Sequence, residues 1–186
     1  MKTDITQALV TEHRLILRMI TLLEKNAPET AAGRYRNWQF YHDGIDFIRN
    51  YADRFHHAKE EDVLFTALVA NGMPRENSPV AAMLLEHDHG RSFVKAMEAA
   101  VEAAVEAAEK GQTGCYGEIA ENALAYAELL RGHISREDDI LYPLAERVLP
   151  ESMRPDIVSG YQAAEAQVSP EFSNRYLAIV EQYERE

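Results

Sequence analysis

The chain confines most of its few helix breakers, nine glycines and seven prolines, to the spaces between long stretches rich in Ala, Leu, Glu, Arg and Met. A sequence punctuated in this way can build long helices and little else. The punctuation predicts four of them. The first spans about 5–26, with Thr3 or Asp4 as N-cap and Pro28 beyond its end. The second spans about 34–71 and is closed by Gly72 and Pro74. The third opens at Ser78-Pro79, an N-cap followed by proline at the first helical position, and runs to about Lys110 before Gly111. The fourth spans about 116–149, before Pro150. Shorter helices are predicted near 155–168 and 170–183. The Ala/Glu-rich tract 98–109 looks low in complexity, but Val101 and Val105 keep the apolar period, so it reads as the solvated end of the third helix. Short joints between long helices give the fold class: all-α, an up-down-up-down four-helix bundle with one or two extra short C-terminal helices. No linker is long enough to separate two domains. Residues 1–150 are expected to form the bundle, and 151–186 a helical extension packed on it.

Two segments of this sequence repeat one another. His56-His57-Ala58-Lys59-Glu60-Glu61-Asp62-Val63-Leu64-Phe65 and His133-Ile134-Ser135-Arg136-Glu137-Asp138-Asp139-Ile140-Leu141-Tyr142 share a histidine, a glutamate four residues on, an acidic neighbour, two aliphatics and an aromatic ring. In an α-helix, residues i and i+4 project from one face, so His56 pairs with Glu60, and His133 with Glu137. Each pair falls on an apolar stripe: Ile45, Ala52, Val63 and Ala67 around the first; Ile119, Ala123, Tyr126, Leu130, Ile140 and Leu144 around the second. An uncompensated carboxylate on a core stripe is costly, and a metal cation would neutralise it. Imidazole beside carboxylate is a ligand mixture suited to iron in helical bundles. The other two helices each carry one histidine on a core stripe: His13 among Leu9, Ile16 and Ile20, and His87 among Met83, Val94 and Met97. At about 1.5 Å rise per residue, His13 and His87 lie roughly 12 Å from their helix starts, and the two His–Glu pairs roughly 16–24 Å from the ends of theirs. In an antiparallel bundle those ends share a pole, so all six side chains fall in one slab.

The remaining histidines read differently. His57 shares a face with Asp46, Asn50, Asp53 and Glu61 and is expected to be mostly solvated. His89 lies on an alanine-rich face, and His42 is too far along its helix from His56 to join the slab. Tyr126 reads as a core tyrosine two turns before His133, and Arg49 and Arg91 point inward by period.

The set His13, His56–Glu60, Glu86-His87-x-x-Gly90-Arg91 and His133–Glu137, one group per helix, resembles the haemerythrin-like (HHE cation-binding) family over about residues 5–150. The phrases His-His-x-Lys-Glu-Glu-Asp-Val-Leu-Phe and Met83-Leu84-Leu85-Glu86-His87 are close to that family's wording. The resemblance implies two iron ions, oxo- or hydroxo-bridged, with Glu60 and Glu137 bridging and the four histidines as terminal ligands. It also shows two departures from the oxygen carriers. Their second histidine on the third helix is replaced here by Arg91, and their aspartate five residues after the fourth-helix histidine corresponds to Asp138, whereas Glu137 is better aligned with His133. Both argue against reversible oxygen transport. Two six-coordinate ions need about twelve bonds; four histidines, two bridging carboxylates and a solvent bridge give about ten, leaving room for an exogenous ligand.

Composition excludes several other roles. A formal net charge of −12 repels phosphate backbones and anionic lipid, so no nucleic acid and no membrane partner is expected. No apolar run reaches the roughly 18–20 residues of a membrane span, and the N-terminus has no apolar signal core. The single cysteine, Cys115, reads as an ordinary thiol that cannot form a disulfide within the chain, which points to the cytoplasm. The functional expectation is a di-iron protein that binds or senses a small oxidant (O2, NO or peroxide), in iron handling or stress response. The alternatives are a di-iron oxidoreductase of the peroxidase or NO reductase type, served by an external electron donor because the chain has no second redox centre, and an iron donor for iron–sulfur cluster repair.

Overall fold

A computed structural model describes residues 2–112, 114 and 116–186; Cys115 lies outside the described residues. These residues are helical, with no strand among them. The helices are α1 (Gln7–Ala31), α2 (residues 38–70), α3 (Pro79–Glu109), α4 (residues 116–148), α5 (Arg154–Glu165) and α6 (Phe172–Glu184). Most joints follow the punctuation. Asp4 accepts the first free amides of α1, those of Thr6 and Gln7, at 3.0 and 2.7 Å. Ser78 caps α3 through the Ala81 amide, with Pro79 next. Asn37 caps α2, which therefore starts four residues later than expected. Pro28 does not end α1. Its ring faces solvent, while Ala27 and Thr30 beside it are buried, and the Thr30 hydroxyl bonds the Asn26 carbonyl and the Tyr41 hydroxyl. Packing of that last turn outweighs one lost backbone hydrogen bond.

Two helices are not α-helical throughout. In α2, Ile48–His57 and Glu60–Leu64 form π-helical turns, and in α4 Glu137–Leu141 does the same. A π turn closes i→i+5 hydrogen bonds and so accommodates an extra residue. It shifts the phase of everything beyond it. Ile140, expected on the core stripe of His133, is 58% exposed, and Leu141 is buried in its place at 1%. In α2, Val63 is only half-buried, and Leu64 takes the inward position. The buried series therefore runs in steps of four, His56–Glu60–Leu64–Leu68 and His133–Glu137–Leu141–Ala145. In a pure α-helix such a series would drift about 40° per step around the axis.

The helices pack as a bundle. Rising residue numbers on one helix meet falling numbers on its neighbour. Glu24 of α1 bonds Arg131 of α4, while His13 bonds Asp138. In α2 and α3, Arg49 meets Glu98, and Glu61 meets His87. The apolar core comes in two parts. The smaller contains Leu9, Leu64, Met83 and Leu141; the larger contains Ile16, Phe55, Val94 and Leu130. On each of the four long helices the buried histidines and glutamates fall between these two parts.

The two C-terminal helices lie against α1, α2 and α4. The wholly buried guanidinium of Arg154 binds Glu146 and the carbonyls of Thr3 and Leu149. Tyr161 donates to the Ile5 carbonyl. Tyr176 and Tyr183 of α6 donate to Asp46 and Asp43 of α2. Among the described residues, no helix is long and apolar enough to cross a membrane.

Candidate metal centre

All six side chains singled out by the sequence meet between the two apolar clusters, and all are buried. His13 and His56 face each other with ring centroids 4.6 Å apart, and His87 and His133 do so at 4.8 Å. Each glutamate touches both pairs. The Glu137 oxygens lie 3.3 Å from His13 Nε2 and 3.3 Å from His133 Nε2. Glu60 Oε2 lies 3.7 Å from His56 Nε2 and 3.6 Å from His87 Nε2. Glu60 Oε1 accepts from the Tyr142 hydroxyl at 2.5 Å.

The other ring nitrogens all point outward to carboxylates. Nδ1 of His13 pairs with Asp138 at 2.8 Å, that of His56 with Glu12 at 2.9 Å, that of His87 with Glu61 at 2.7 Å and that of His133 with Glu86 at 2.9 Å. Cations hold three of these carboxylates in turn: Lys59 on Glu12, Arg91 on Glu61 and Arg136 on Glu86. A carboxylate on Nδ1 fixes the tautomer that leaves the Nε2 lone pair free, which is how metal-binding histidines are oriented.

Four of the inward-facing donor atoms lack protein partners. His56 Nε2, Glu60 Oε2 and both Glu137 oxygens are buried with no hydrogen bond, a costly state in a dry core. His87 Nε2 and His133 Nε2 stand 3.1 Å apart. Two donors at about 2.1 Å from one cation and at right angles to each other stand about 3.0 Å apart. The residues therefore fit a cation, and two overlapping groups have the required spacing: His13, His56, Glu60 and Glu137; and His57, Glu60, His87 and His133.

A family model described as the hemerythrin HHE cation binding domain matches residues 4–149. The chain belongs to the haemerythrin HHE cation-binding family. Searches of curated proteins and of solved structures find no match. Metal binding, typically of iron, is what this family membership and the His/Glu clusters support together.

Electrostatics in the metal-free haemerythrin-family chain show how the residues share charge. Burial, reinforced by the Glu137 charge, pushes the Glu60 carboxyl well above the usual range. Burial also acts upward on Glu137, but the charges of His133 and His13 beside it hold it well below. Burial opposes a charged His13, yet its hydrogen bond to Asp138 and the neighbouring Glu137 carboxylate raise it to about 9. Burial drives His56 well below its ordinary value. A cation bound here would compete with protons for these donors.

Several features lay outside the sequence reading. His57 is not solvated: it is 6% exposed and stacks on His87 with centroids 3.7 Å apart. The π turn that contains it turns the ring inward. Glu12 and the fully buried Lys59 went unnoticed, although the order Glu12-His13 matches Glu86-His87 and was the available signal. Arg49 and Arg91 do not enter the core. They sit at its rim, paired with Glu98 and with Asp53, Glu61 and Asp88. His89 is exposed, and His42 lies 3.8 Å from Glu102, away from the centre. Tyr126 is buried as expected and also lines a cavity of about 380 Å³ that reaches His57 and His87 between Ile48, Gly90 and Leu130.

Proposed function

We propose that this protein holds two iron ions, oxo- or hydroxo-bridged, and uses them to bind or sense a small oxidant. His13, His56, His87 and His133 are the terminal ligands, and Glu60 and Glu137 the bridges. The four long helices run up-down-up-down around them as one unit of residues 1–150, and residues 151–186 form an extension packed on it. The observation that carries this reading is the set of buried, unpartnered donor atoms of His56, Glu60 and Glu137, set between two histidine pairs that each glutamate touches.

Two bound irons would supply electrons and open coordination positions for a diatomic or peroxide ligand. The chain's own residues do the rest. Five acidic side chains, counting Asp53 on His57, hold the imidazoles in one tautomer. Tyr142 donates a hydrogen bond to one Glu60 oxygen and leaves the other free. The cavity, with Val94, Tyr126 and Leu130 on its inner wall and Arg49, Arg54, Lys95 and Glu98 also lining it, connects the centre to its surroundings and has room for a small molecule. Turnover as a peroxidase or NO reductase needs an external electron donor and is tested by consumption of peroxide or NO with a chemical reductant; iron donation is tested by passage of the iron to a chelator within minutes.

That experiment is anaerobic purification, metal analysis and absorption spectroscopy before and after air. About two irons per chain, with near-ultraviolet oxo-bridge bands on oxidation, are expected. Absence of stoichiometric iron from anaerobically reconstituted protein overturns the reading. Alanine at both His56 and His133 should abolish iron binding; unchanged iron content would also defeat it.

A further inference from the structure

The cavity beside His57 and His87 has far more room than a diatomic molecule fills. Its volume of about 380 Å³ falls within the range of sites that hold small organic molecules, roughly 300–1,000 Å³. Dioxygen is comparable in size with one water, whose share of liquid volume is about 30 Å³. Two features keep this space open and equip it. Gly90 is buried in the middle of α3 and lines the cavity. A Cβ there would stand 3.5 Å from Cε2 of Tyr126 and 3.8 Å from Leu129, both ordinary contacts. Packing therefore does not demand glycine, and glycine inside a helix is destabilising relative to alanine. What its missing side chain leaves is cavity. Tyr126 is 3% exposed, and the hydroxyl end of its ring faces that gap. The hydroxyl has no hydrogen-bond partner among the described residues. Buried tyrosine hydroxyls ordinarily find one, so this one is left for an occupant of the cavity.

The rim states the charge of that occupant. Three acids line the cavity, and each is already engaged: Asp53 by Arg91, Glu86 by Arg136 and Glu98 by both terminal nitrogens of Arg49. Two of the lining cations are left over. Arg54 bonds only the Asn50 side-chain oxygen, at 3.2 Å, and Lys95 has no ion-pair partner among the described residues. Both are exposed, so neither is held in place by packing. In a chain of net charge −12, two unengaged cations on one rim make a local site for a negative group.

We infer that the cavity is a binding site for a small organic monocarboxylate. Its carboxylate takes Arg54 and Lys95 at the rim, its apolar body lies along Ile48, Val94 and Leu130, and a hydroxyl or carbonyl at its far end bonds Tyr126. The planar fork of a guanidinium matches a carboxylate in two parallel hydrogen bonds. An inorganic anion has no body to cover the apolar wall, and a neutral molecule leaves both cations unused. A di- or tricarboxylate brings further charge against Asp53, Glu86 and Glu98. The inference stands independently of the di-iron reading, because none of these contacts is made by His13, His56, Glu60, His87, His133 or Glu137. An occupant would lie against His57 and His87 and cover that side of the centre.

The test is calorimetric titration of the full chain at low ionic strength, as purified and after chelator treatment. The probes are 4-hydroxybenzoate, benzoate and the neutral benzyl alcohol. Both acids should bind in either state of the chain, and benzyl alcohol about tenfold or more weaker. Arg54→Gln/Lys95→Gln, which changes only exposed side chains, should weaken 4-hydroxybenzoate about tenfold or more. Tyr126→Phe should weaken 4-hydroxybenzoate about threefold or more and leave benzoate within about twofold. Val94→Phe fills the cavity from α3 and should abolish binding of both acids. Circular dichroism checks the fold of each variant, and the exposed double variant keeps the test decisive if a buried one fails to fold. Absence of binding by either acid at about 10 mM, or equal affinity in wild type and the double variant, overturns the inference. Binding that vanishes with the metal and ignores Arg54 and Lys95 is a carboxylate on the metal; it overturns the inference and leaves the di-iron reading intact.

Discussion

Lys59 offers the clearest test of how the centre is held in place. Its ammonium is fully buried, lies over the Phe55 ring at 3.9 Å, and pairs with Glu12, the carboxylate that orients His56. Its second partner, Glu165 at 3.3 Å, is exposed enough to contribute little. Lys59→Met keeps most of the side-chain volume and removes the charge. Breaking one side of a buried pair costs about 3–5 kcal/mol, because the other charge is left uncompensated. In a chain of 186 residues each kcal/mol is worth about 2–4 °C, so the melting temperature should fall by about 6–20 °C. Glu12→Gln/Lys59→Met removes both charges and keeps an oxygen for His56 Nδ1. It should recover about 2 kcal/mol or more of that loss. Urea unfolding of chelator-treated protein, followed by circular dichroism, measures wild type, both single variants and the double variant. A Lys59→Met variant within about 0.5 kcal/mol of wild type, or a double variant as unstable as the sum of the singles, refutes the argument.

Three further outcomes follow from the packing. Leu141→Ala should cost about 2–5 kcal/mol in urea unfolding and Ile140→Ala about 0.5 or less; an α-helical phase through Glu137–Leu141 predicts the reverse order. A Cβ on Gly160 would stand 2.9 Å from a Val63 methyl, so Gly160→Ala should lose about 1–3 kcal/mol, and Val63→Ala in the same chain should restore much of it. Thermal melts of the two variants check this. Glu24 is held below the usual carboxylate range by its hydrogen bond from Arg131, so its contribution is present above the unfolded pKa and is lost as pH falls through the lower folded one. Glu24→Gln should therefore cost about 0.5–1 kcal/mol at pH 7, and the gap from wild type should close under strongly acidic conditions in a pH series of melts.

Helix number and order, the capping at Ser78-Pro79 and the convergence of His13, His56, Glu60, His87, His133 and Glu137 were legible because they depend on periodicity and length alone. The phase beyond each His–Glu pair was not. Leu64 and Leu141 turn inward because a π turn absorbs one residue, and propensity carries no signal for that. His57 was misread for the same reason: an α-helical wheel places it among Asp46, Asn50 and Asp53. The outer layer of Glu12, Lys59 and Arg136 was hidden because its members look like ordinary surface charges until the neighbouring helix is in place. Pro28 misled because solvent accepts its ring while Ala27 and Thr30 anchor the turn.

The crosswise bonds, Glu61 to His87 and Asp138 to His13, have a consequence for folding. Each helical hairpin supplies the clamp for a histidine of the other, so neither hairpin alone can present a finished half-site. The centre should assemble only as the hairpins dock, in one cooperative event. Metal affinity then becomes a measure of docking. A substitution anywhere along the α1–α4 or α2–α3 seam that loosens docking will weaken binding from a distance, without touching a ligand.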